Sequence, residues 1–205
     1  MNLCCKNLPE GWVLHDTIDL KANKKAFWLV NGLSLLVFGL FILIGWFIVN
    51  PIDAIYETAG DIFVPVFVLL GGLVVYVVVH ELTHGVFLSA FTKMKPKFGF
   101  VGWAAYCGNE GYCDKPRYAV VALAPLVFWG IVFGMLNVFF HEGIWFWVIW
   151  FLQAMNVGGS SGDLYVSCKL VKYPQEILVQ DIGTRMQVYC RAAEKIAETD
   201  GGEGV

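Results

Sequence analysis

The sequence predicts an all-α membrane protein built as a bundle of four transmembrane helices. Of its 205 residues, 58% are hydrophobic and only 15% are charged, and the mean hydropathy is +0.63. A soluble domain of this length needs far more charge to cover its surface. The apolar residues also form long blocks, as in chains that cross a bilayer. We therefore expect a membrane domain at residues 26–171, between an N-terminal segment at 1–25 and a tail at 172–205.

Four apolar blocks predict the individual spans. The first block, with 24 residues, would form a helix of roughly 36 Å, which is enough to cross the hydrocarbon core. The fourth block has only 14 apolar residues before a run of small and polar ones at 158–163. Irregular backbone at membrane depth is tolerated only inside protein, so this run should lie within the bundle. The predicted spans are 26–49, 62–91, 118–140 and 144–168.

The basic residues predict how the spans are oriented. All 14 lysines and arginines lie before the first span, between the second and third, or after the fourth. The loops at 50–61 and 141–143 contain none. By the positive-inside rule, both termini should lie in the cytosol. The expected location is an integral, multi-pass membrane protein, in the cell membrane if the organism is a prokaryote.

Charge and cysteine content narrow the range of partners. The formal net charge is −3 and no tract is strongly basic, which argues against nucleic acid and leaves the lipid bilayer as the expected partner. The six cysteines form no C-x-x-C pair, so a zinc ribbon or a thioredoxin-like site is not indicated.

The second predicted span contains an H-E-x-x-H motif, His80-Glu81-Leu82-Thr83-His84. Residues four apart lie on one face of a helix, so both imidazoles can bind one zinc ion at about 2.0–2.1 Å. Glu81 can then hold and deprotonate a zinc-bound water. The alternative is two hydrogen-bonded core histidines and a glutamate that reaches the membrane surface. Ionisable groups inside a membrane are costly and usually functional, which favours the metal site.

A catalytic zinc site usually has three protein ligands, and helix length predicts the third one here. His80 lies 18 residues after Ile62, or roughly 27 Å along the second span. Asp163 lies 19 residues after Ile144, or roughly 28 Å along a span that runs in the same direction. Asp163 should therefore reach the depth of the histidines. The alternative role for Asp163 is to cap a broken helix.

Three further residues are candidates for substrate binding. Tyr106 ends the apolar, glycine-containing segment 98–106, which forms either a short re-entrant β-hairpin or a loop on the surface between helices 2 and 3. A hairpin edge there could hold an extended substrate by β-strand addition. Pro125 either frees carbonyl groups toward the site or is a tolerated kink. Asn156 donates either to the substrate backbone or to a neighbouring helix.

Taken together, these motifs resemble the putative zincin peptidase family, small multi-pass membrane proteins related to the site-2 proteases. The resemblance implies zinc bound by His80, His84 and Asp163 at the cytosolic side, with Glu81 as the general base. Asp163 departs from the pattern, since the Ser-Gly-Asp-Leu context lacks the proline and the following glycine usual in site-2 proteases. The segments that carry the resemblance are Leu8-Pro-Glu-Gly-Trp12, His80-Glu-Leu-Thr-His-Gly85, Ala105-Tyr-Cys107, Leu123-Ala-Pro-Leu126 and Asn156 through Asp163.

Two functions of different classes follow from these residues. The first is hydrolysis of peptide bonds in a peptide or transmembrane protein, within or beside the membrane. The second is a non-proteolytic zinc-binding membrane protein that acts as a regulator or scaffold, which the altered context of Asp163 motivates. The two differ in one observable, because only the first predicts turnover of a membrane substrate by the zinc-loaded protein.

Overall fold

The computed structural model describes residues 4–20, 22–58, 60–102, 104–183 and 185–192. Within these ranges, the chain forms runs of helices and runs of strands instead of helices alone. Their order is β1 (Trp12–Ile18), α1 (Lys24–Ile48), α2 (Pro51–Glu57), α3 (Phe63–Thr92), β2 (Lys97–Val101), β3 (Ala104–Gly108), β4 (Tyr112–Asp114), α4 (Lys115–Phe139), α5 (Gly143–Gly159), α6 (Ser161–Val171), β5 (Leu178–Asp181) and β6 (Met186–Arg191).

Three of the helices are long and apolar enough to cross a membrane. They are α1, α3 and α4, and their ends fall within three residues of the spans predicted at 26–49, 62–91 and 118–140. Each has an 18-residue window with a mean hydropathy of 2.3 or more and at most two charged residues. The prediction of a membrane protein is therefore supported by three of its four predicted spans.

The prediction of a fourth span at 144–168 is wrong as a single helix. α5 ends at Gly159, and a separate helix, α6, begins at Ser161. The break has a local cause, because the chain places two glycines and two serines in succession, and these residues have low helix propensity. α5 alone has 17 residues, or roughly 26 Å of helix, which is shorter than the hydrocarbon core of about 30 Å.

The all-α prediction is also wrong, because the described residues include two sheets. One is a four-stranded antiparallel sheet in the order β1-β6-β5-β4. β6 alternates buried and partly buried residues, and Val188 is fully buried at its centre. This period of two is typical of a half-buried strand. It occurs in β6 even though the surrounding tail mixes apolar and charged residues. β5 and β6 both lie in the segment predicted as the tail, 172–205.

The second sheet is the hairpin of β2 and β3, which resolves the choice between a hairpin and a loop at 98–106. Its register runs from Lys97 opposite Gly108 to Val101 opposite Ala104. Gly102 follows β2 with a φ of +66°, a left-handed conformation that glycine adopts without steric cost. The backbone thus reverses at a residue suited to a tight turn.

The described residues divide into two compact units. The first comprises residues 1–24, 81–122 and 165–205, and the second comprises 25–80 and 123–164. The core of the first unit joins the four-stranded sheet to α3, α4 and α6, and its most buried members include Cys113, Leu170 and Val188. In the second unit, Tyr76 of α3, Phe133 of α4 and Leu152 of α5 pack together. The same three helices therefore hold Tyr76 in a fixed place.

A charged cluster ties β1 to α6 in the first unit. Asp16 accepts hydrogen bonds from Lys169 Nζ at 2.9 Å, from the Tyr173 hydroxyl and from the backbone N–H of Thr17. Burial raises the pKa of Asp16, but these hydrogen bonds outweigh burial, so its pKa lies below the usual value. A carboxyl group with a depressed pKa stabilises the fold above its unfolded-state pKa.

We therefore expect the Asp16 cluster to lose its stabilising effect in acid. The contribution should be complete above about pH 4 and should disappear as the pH falls through the lower, folded-state pKa. It should not exceed about 1 kcal/mol, because the side chain is 38% exposed. The measurement is the Tm difference between wild type and Asp16→Asn in detergent at neutral and acid pH. Glu10→Gln, which removes an exposed charge just before β1, is the control, and a difference that does not change with pH would contradict the prediction.

Candidate metal centre

The two histidines and the glutamate of the H-E-x-x-H motif lie on one uninterrupted helix. α3 runs from Phe63 to Thr92, and no residue within it has a positive φ. Lys93 follows with a φ of 58°, a left-handed conformation typical of the residue after a helix. His80 and His84 are thus held one turn apart on the same face, and Glu81 follows His80 on the flank of that face. All three side chains are partly buried.

Asp163 lies close to His80 and follows directly after the break between α5 and α6. Ser160 separates the two helices, and the Ser161 hydroxyl donates to the carbonyl of Gly158 at 2.7 Å. Asp163 then lies in the first turn of α6, and its Oδ2 is 3.5 Å from Nε2 of His80. His80, His84 and Asp163 each offer one ligand atom, and these atoms lie within 4.8 Å of one another.

This donor set fits a zinc ion. With bonds of about 2.0–2.1 Å in tetrahedral geometry, neighbouring ligand atoms stand about 3.3 Å apart, close to the 3.5 Å between His80 and Asp163. Two imidazoles and a carboxylate are ligands that zinc prefers, and together they leave one tetrahedral position open. In the described ranges, no second group of three such residues has this spacing. The role of each residue as a ligand stays a prediction.

A hydrogen-bonded chain behind His80 was not predicted from the sequence. The Tyr76 hydroxyl lies 3.0 Å from Nδ1 of His80 and 2.9 Å from Oδ1 of Asn156. Nδ2 of Asn156 donates to the carbonyl of Leu126 at 3.0 Å. Asn156 is fully buried, and both ends of its amide have partners in the protein. Its predicted contact with substrate stays a prediction.

His84 has a different partner, the backbone of α4. Its Nδ1 lies 2.9 Å from the carbonyl oxygen of Val121. Pro125, which is buried within α4, lies four residues beyond Val121. Proline has no N–H, so it cannot make the helical hydrogen bond to that carbonyl. Of the two roles predicted for Pro125, the one in which it frees a carbonyl toward the site agrees with this contact.

The β2–β3 hairpin packs closely against the helix just after the motif. A Cβ atom on Gly85 would stand 2.6 Å from Cζ of Phe98 and 3.3 Å from Sγ of Cys107. Only glycine allows so close an approach. The hairpin is therefore held next to the H-E-x-x-H segment by contacts within the first unit.

Tyr106 and Cys107 occupy neighbouring places in β3 with different surroundings. The ring of Tyr106 packs on Gly99 and Gly183, where a Cβ atom would collide with it, and Gly183 also has a φ of +85° that favours glycine. Tyr106 does not belong to the His80, His84 and Asp163 cluster, and its contact with substrate stays a prediction. Burial, followed by the charges of Glu81 and Asp181, raises the pKa of the Cys107 thiol to about 12. This thiol is therefore neutral near physiological pH.

Some of these partners carried a signal in the sequence. Tyr76, His80 and His84 are spaced four residues apart, so a helical reading places the phenol on the histidine face. The Val121 carbonyl has no side-chain signal, and only the position of Pro125 indicates that it is available.

Comparison with known proteins adds one finding. A protein-family model described as "Putative zincin peptidase" matches residues 73–178, just over half of the chain. The matched region includes Tyr76, the H-E-x-x-H motif, the hairpin, α4 and Asp163. No curated protein and no solved structure matches the chain.

Proposed function

Because this chain belongs to the family described as putative zincin peptidase, we propose that it is an intramembrane or membrane-associated zinc metallopeptidase. The observation that carries the proposal is the approach of His80, His84 and Asp163 to within 4.8 Å of one another, with Glu81 next to the first of them. Hydrolytic zinc sites commonly combine three such ligands with one open position. The cofactor is accordingly Zn²⁺.

Glu81 is the general base of the proposed reaction. Zinc, when bound, supplies a Lewis acid that polarises the scissile carbonyl and lowers the pKa of the attacking water. The Glu81 carboxylate accepts a proton from that water and then passes it to the amine that leaves. Its place beside His80 in the sequence supports this role, because Glu81 follows the first ligand on the same helix without belonging to the cluster.

The β2–β3 hairpin suggests how a substrate would be held. In the described part of the chain, β2 pairs with no strand other than β3, so it is an edge strand of its sheet. Phe98 and Phe100 are exposed on β2, with 48% and 72% of their surfaces accessible. An extended segment of a peptide or transmembrane protein could add to this edge, which Gly85 keeps close to the motif. Tyr106 of the hairpin, Pro125 and Asn156 are the proposed substrate-binding residues.

The proposed setting is the lipid bilayer, with both termini in the cytosol, so that α5 and α6 together complete a fourth crossing after the three long helices. The supporting observations are the three apolar helices and the one-sided distribution of lysine and arginine. A relation to the site-2 proteases belongs to the same proposal. Asp163 lacks the neighbouring proline and glycine of that pattern, and here it follows the break at Ser160 by three residues.

Zinc binding and peptide cleavage test this proposal together. Wild type should bind about one equivalent of zinc and cleave a transmembrane peptide. Asp163→Asn keeps the shape of the side chain but removes its charge. It should weaken zinc binding by more than about 100-fold, the upper end of the effect of losing a residue that only hydrogen-bonds to a ligand. The measurements are metal content after purification, zinc affinity by chelator competition, and cleavage followed by mass spectrometry.

Asp53→Asn is the matched control, because it removes an exposed carboxylate from α2. Wild type without bound zinc would contradict the metal site. Wild type that binds zinc but cleaves no membrane substrate would favour the regulator or scaffold over the peptidase.

A further inference from the structure

We propose that the protein fixes both histidines in one tautomer, with Nδ1 protonated and Nε2 presented to the metal, through Tyr76 and the Val121 carbonyl. Tyr76 is set in this role by Asn156, and the Val121 carbonyl is made available by Pro125. These groups are then positioning residues that act through His80 and His84. The inference rests on the proposed zinc site and adds the groups that orient its two histidines.

The direction of the hydrogen bonds behind His80 follows from the donors and acceptors. A carbonyl oxygen only accepts, so the amide group of Asn156 that faces Leu126 is Nδ2, at 3.0 Å. Oδ1 of Asn156 therefore faces Tyr76 and accepts its hydroxyl proton at 2.9 Å. A phenol has one proton, and this bond uses it.

The Tyr76 oxygen can then only accept from His80. Nδ1 of His80 lies 3.0 Å away and must carry the proton for that bond to form. In a neutral imidazole, the other nitrogen then has a free lone pair. That nitrogen is Nε2, the atom that lies 3.5 Å from Asp163. His80 is thus prepared to bind a metal on the side of Asp163.

The same outcome is reached at His84 by a different route. Nδ1 of His84 lies 2.9 Å from the Val121 carbonyl, which can only accept, so Nδ1 again carries the proton. Val121 is 2% exposed, and an unpaired carbonyl at such a site would be costly. Because Pro125 has no N–H to offer, the imidazole takes the place of the missing helical donor.

Two unrelated features thus give the same tautomer, and each carries a cost that a structural role alone does not explain. Asn156 is a fully buried amide within a strongly apolar helix, where polar groups are expensive. Pro125 interrupts the hydrogen bonds of a candidate membrane span. Both costs are understandable if ring orientation at the metal is what they secure.

Removal of one oxygen atom tests the His80 half of the proposal. Tyr76→Phe keeps the ring that packs on Phe133 but leaves Nδ1 of His80 without its acceptor. We expect zinc affinity, measured by chelator competition on full-length protein, to fall about 10-fold to 100-fold. Tyr189→Phe, which removes a hydroxyl bonded to Gln180 and Gln187 in the sheet, is the matched control and should leave zinc affinity unchanged.

A second variant tests the His84 half without removing any side-chain donor. Pro125→Ala restores an N–H that competes with Nδ1 of His84 for the Val121 carbonyl. Zinc affinity should fall by a smaller factor of about 3 to 10, because a carbonyl can accept two bonds. The Tm should not fall together with the zinc affinity, since the helix gains a hydrogen bond.

Nitrogen NMR of isotopically labelled histidine, recorded at a pH where the rings are neutral, distinguishes the two tautomers directly. Wild type without metal should show both motif histidines protonated at Nδ1, and Tyr76→Phe should shift His80 toward a mixture. Unchanged tautomers and unchanged zinc affinity in both variants would overturn the inference and leave the proposed metal site intact. If wild type binds no zinc, the proposed function fails, and the metal-free spectra still decide whether the tautomers are fixed as stated.

Discussion

Replacement of Glu81 by glutamine is expected to reduce peptide hydrolysis by about a hundredfold to ten-thousandfold while zinc stays bound. Glutamine keeps the size of the side chain but cannot accept the proton of the attacking water, and a general base contributes about this factor. Zinc should remain, because Glu81 is next to the ligands but is not one of the cluster. The measurement is kcat/KM for a transmembrane peptide, with zinc content determined on the same sample.

Glu142→Gln supplies the matched comparison for this experiment. Its side chain is 84% exposed and makes no hydrogen bond to the start of α5, so its loss should change neither cleavage nor zinc content. If Glu81→Gln cleaved the peptide as fast as Glu142→Gln, Glu81 would be removed as the base. If Glu81→Gln lost its zinc, the residue would instead belong among the ligands.

The second large effect is expected from the addition of a single methyl group at Gly85. The new Cβ of Gly85→Ala would stand 2.6 Å from Cζ of Phe98, so the Phe98 side chain, which packs the hairpin against α3, must shift. A displacement of about 1 Å near reacting groups can cost about a hundredfold in rate. We expect kcat/KM to fall by about that factor, while zinc affinity changes little because the ligands are not in the hairpin.

Two further variants separate this steric effect from other causes. Phe98→Leu shortens the side chain that collides. Gly85→Ala should therefore lower kcat/KM by a smaller factor when it is added to Phe98→Leu than when it is added to wild type. Gly71→Ala lies in the same helix with no neighbour within 4 Å, and should be neutral or stabilise the helix by up to about 1 kcal/mol. Full activity in Gly85→Ala would show that the hairpin does not need its close approach to the motif.

The parts of the fold that the sequence could predict are those with a long, uniform signal. α1, α3 and α4 are continuous apolar helices, and their length alone identifies them. The four-stranded sheet was missed because its strands are short and come from distant parts of the chain. β1 pairs with β6, for example, through Trp12 opposite Arg191, and a pairing over this separation has no local pattern. β6 alternates over only six positions, and β1 shows no such alternation, because its register shifts between Leu14 and Asp16.

The candidate site shows the same division. The spacing of His80 and His84 is local, and it predicts their shared helix face directly. The approach of Asp163 followed from an argument about depth, which holds even though α5 and α6 are separate helices, because the break at Ser160 is short. The groups behind the histidines were harder to predict. For Asn156, the sequence left open a contact with substrate or with a neighbouring helix, because a sequence cannot show that its amide bonds to Tyr76 and to the Leu126 carbonyl.

The raised pKa of Cys107 has a practical consequence for labelling the protein. Alkylating reagents attack the thiolate, and a thiol with a pKa of about 12 is ionised to only about one part in a hundred thousand at neutral pH. Cys168 of α6, by contrast, is exposed. A maleimide fluorophore should therefore attach at Cys168 and spare the thiol beside Gly85, once the partly exposed Cys4 and Cys5 have been replaced.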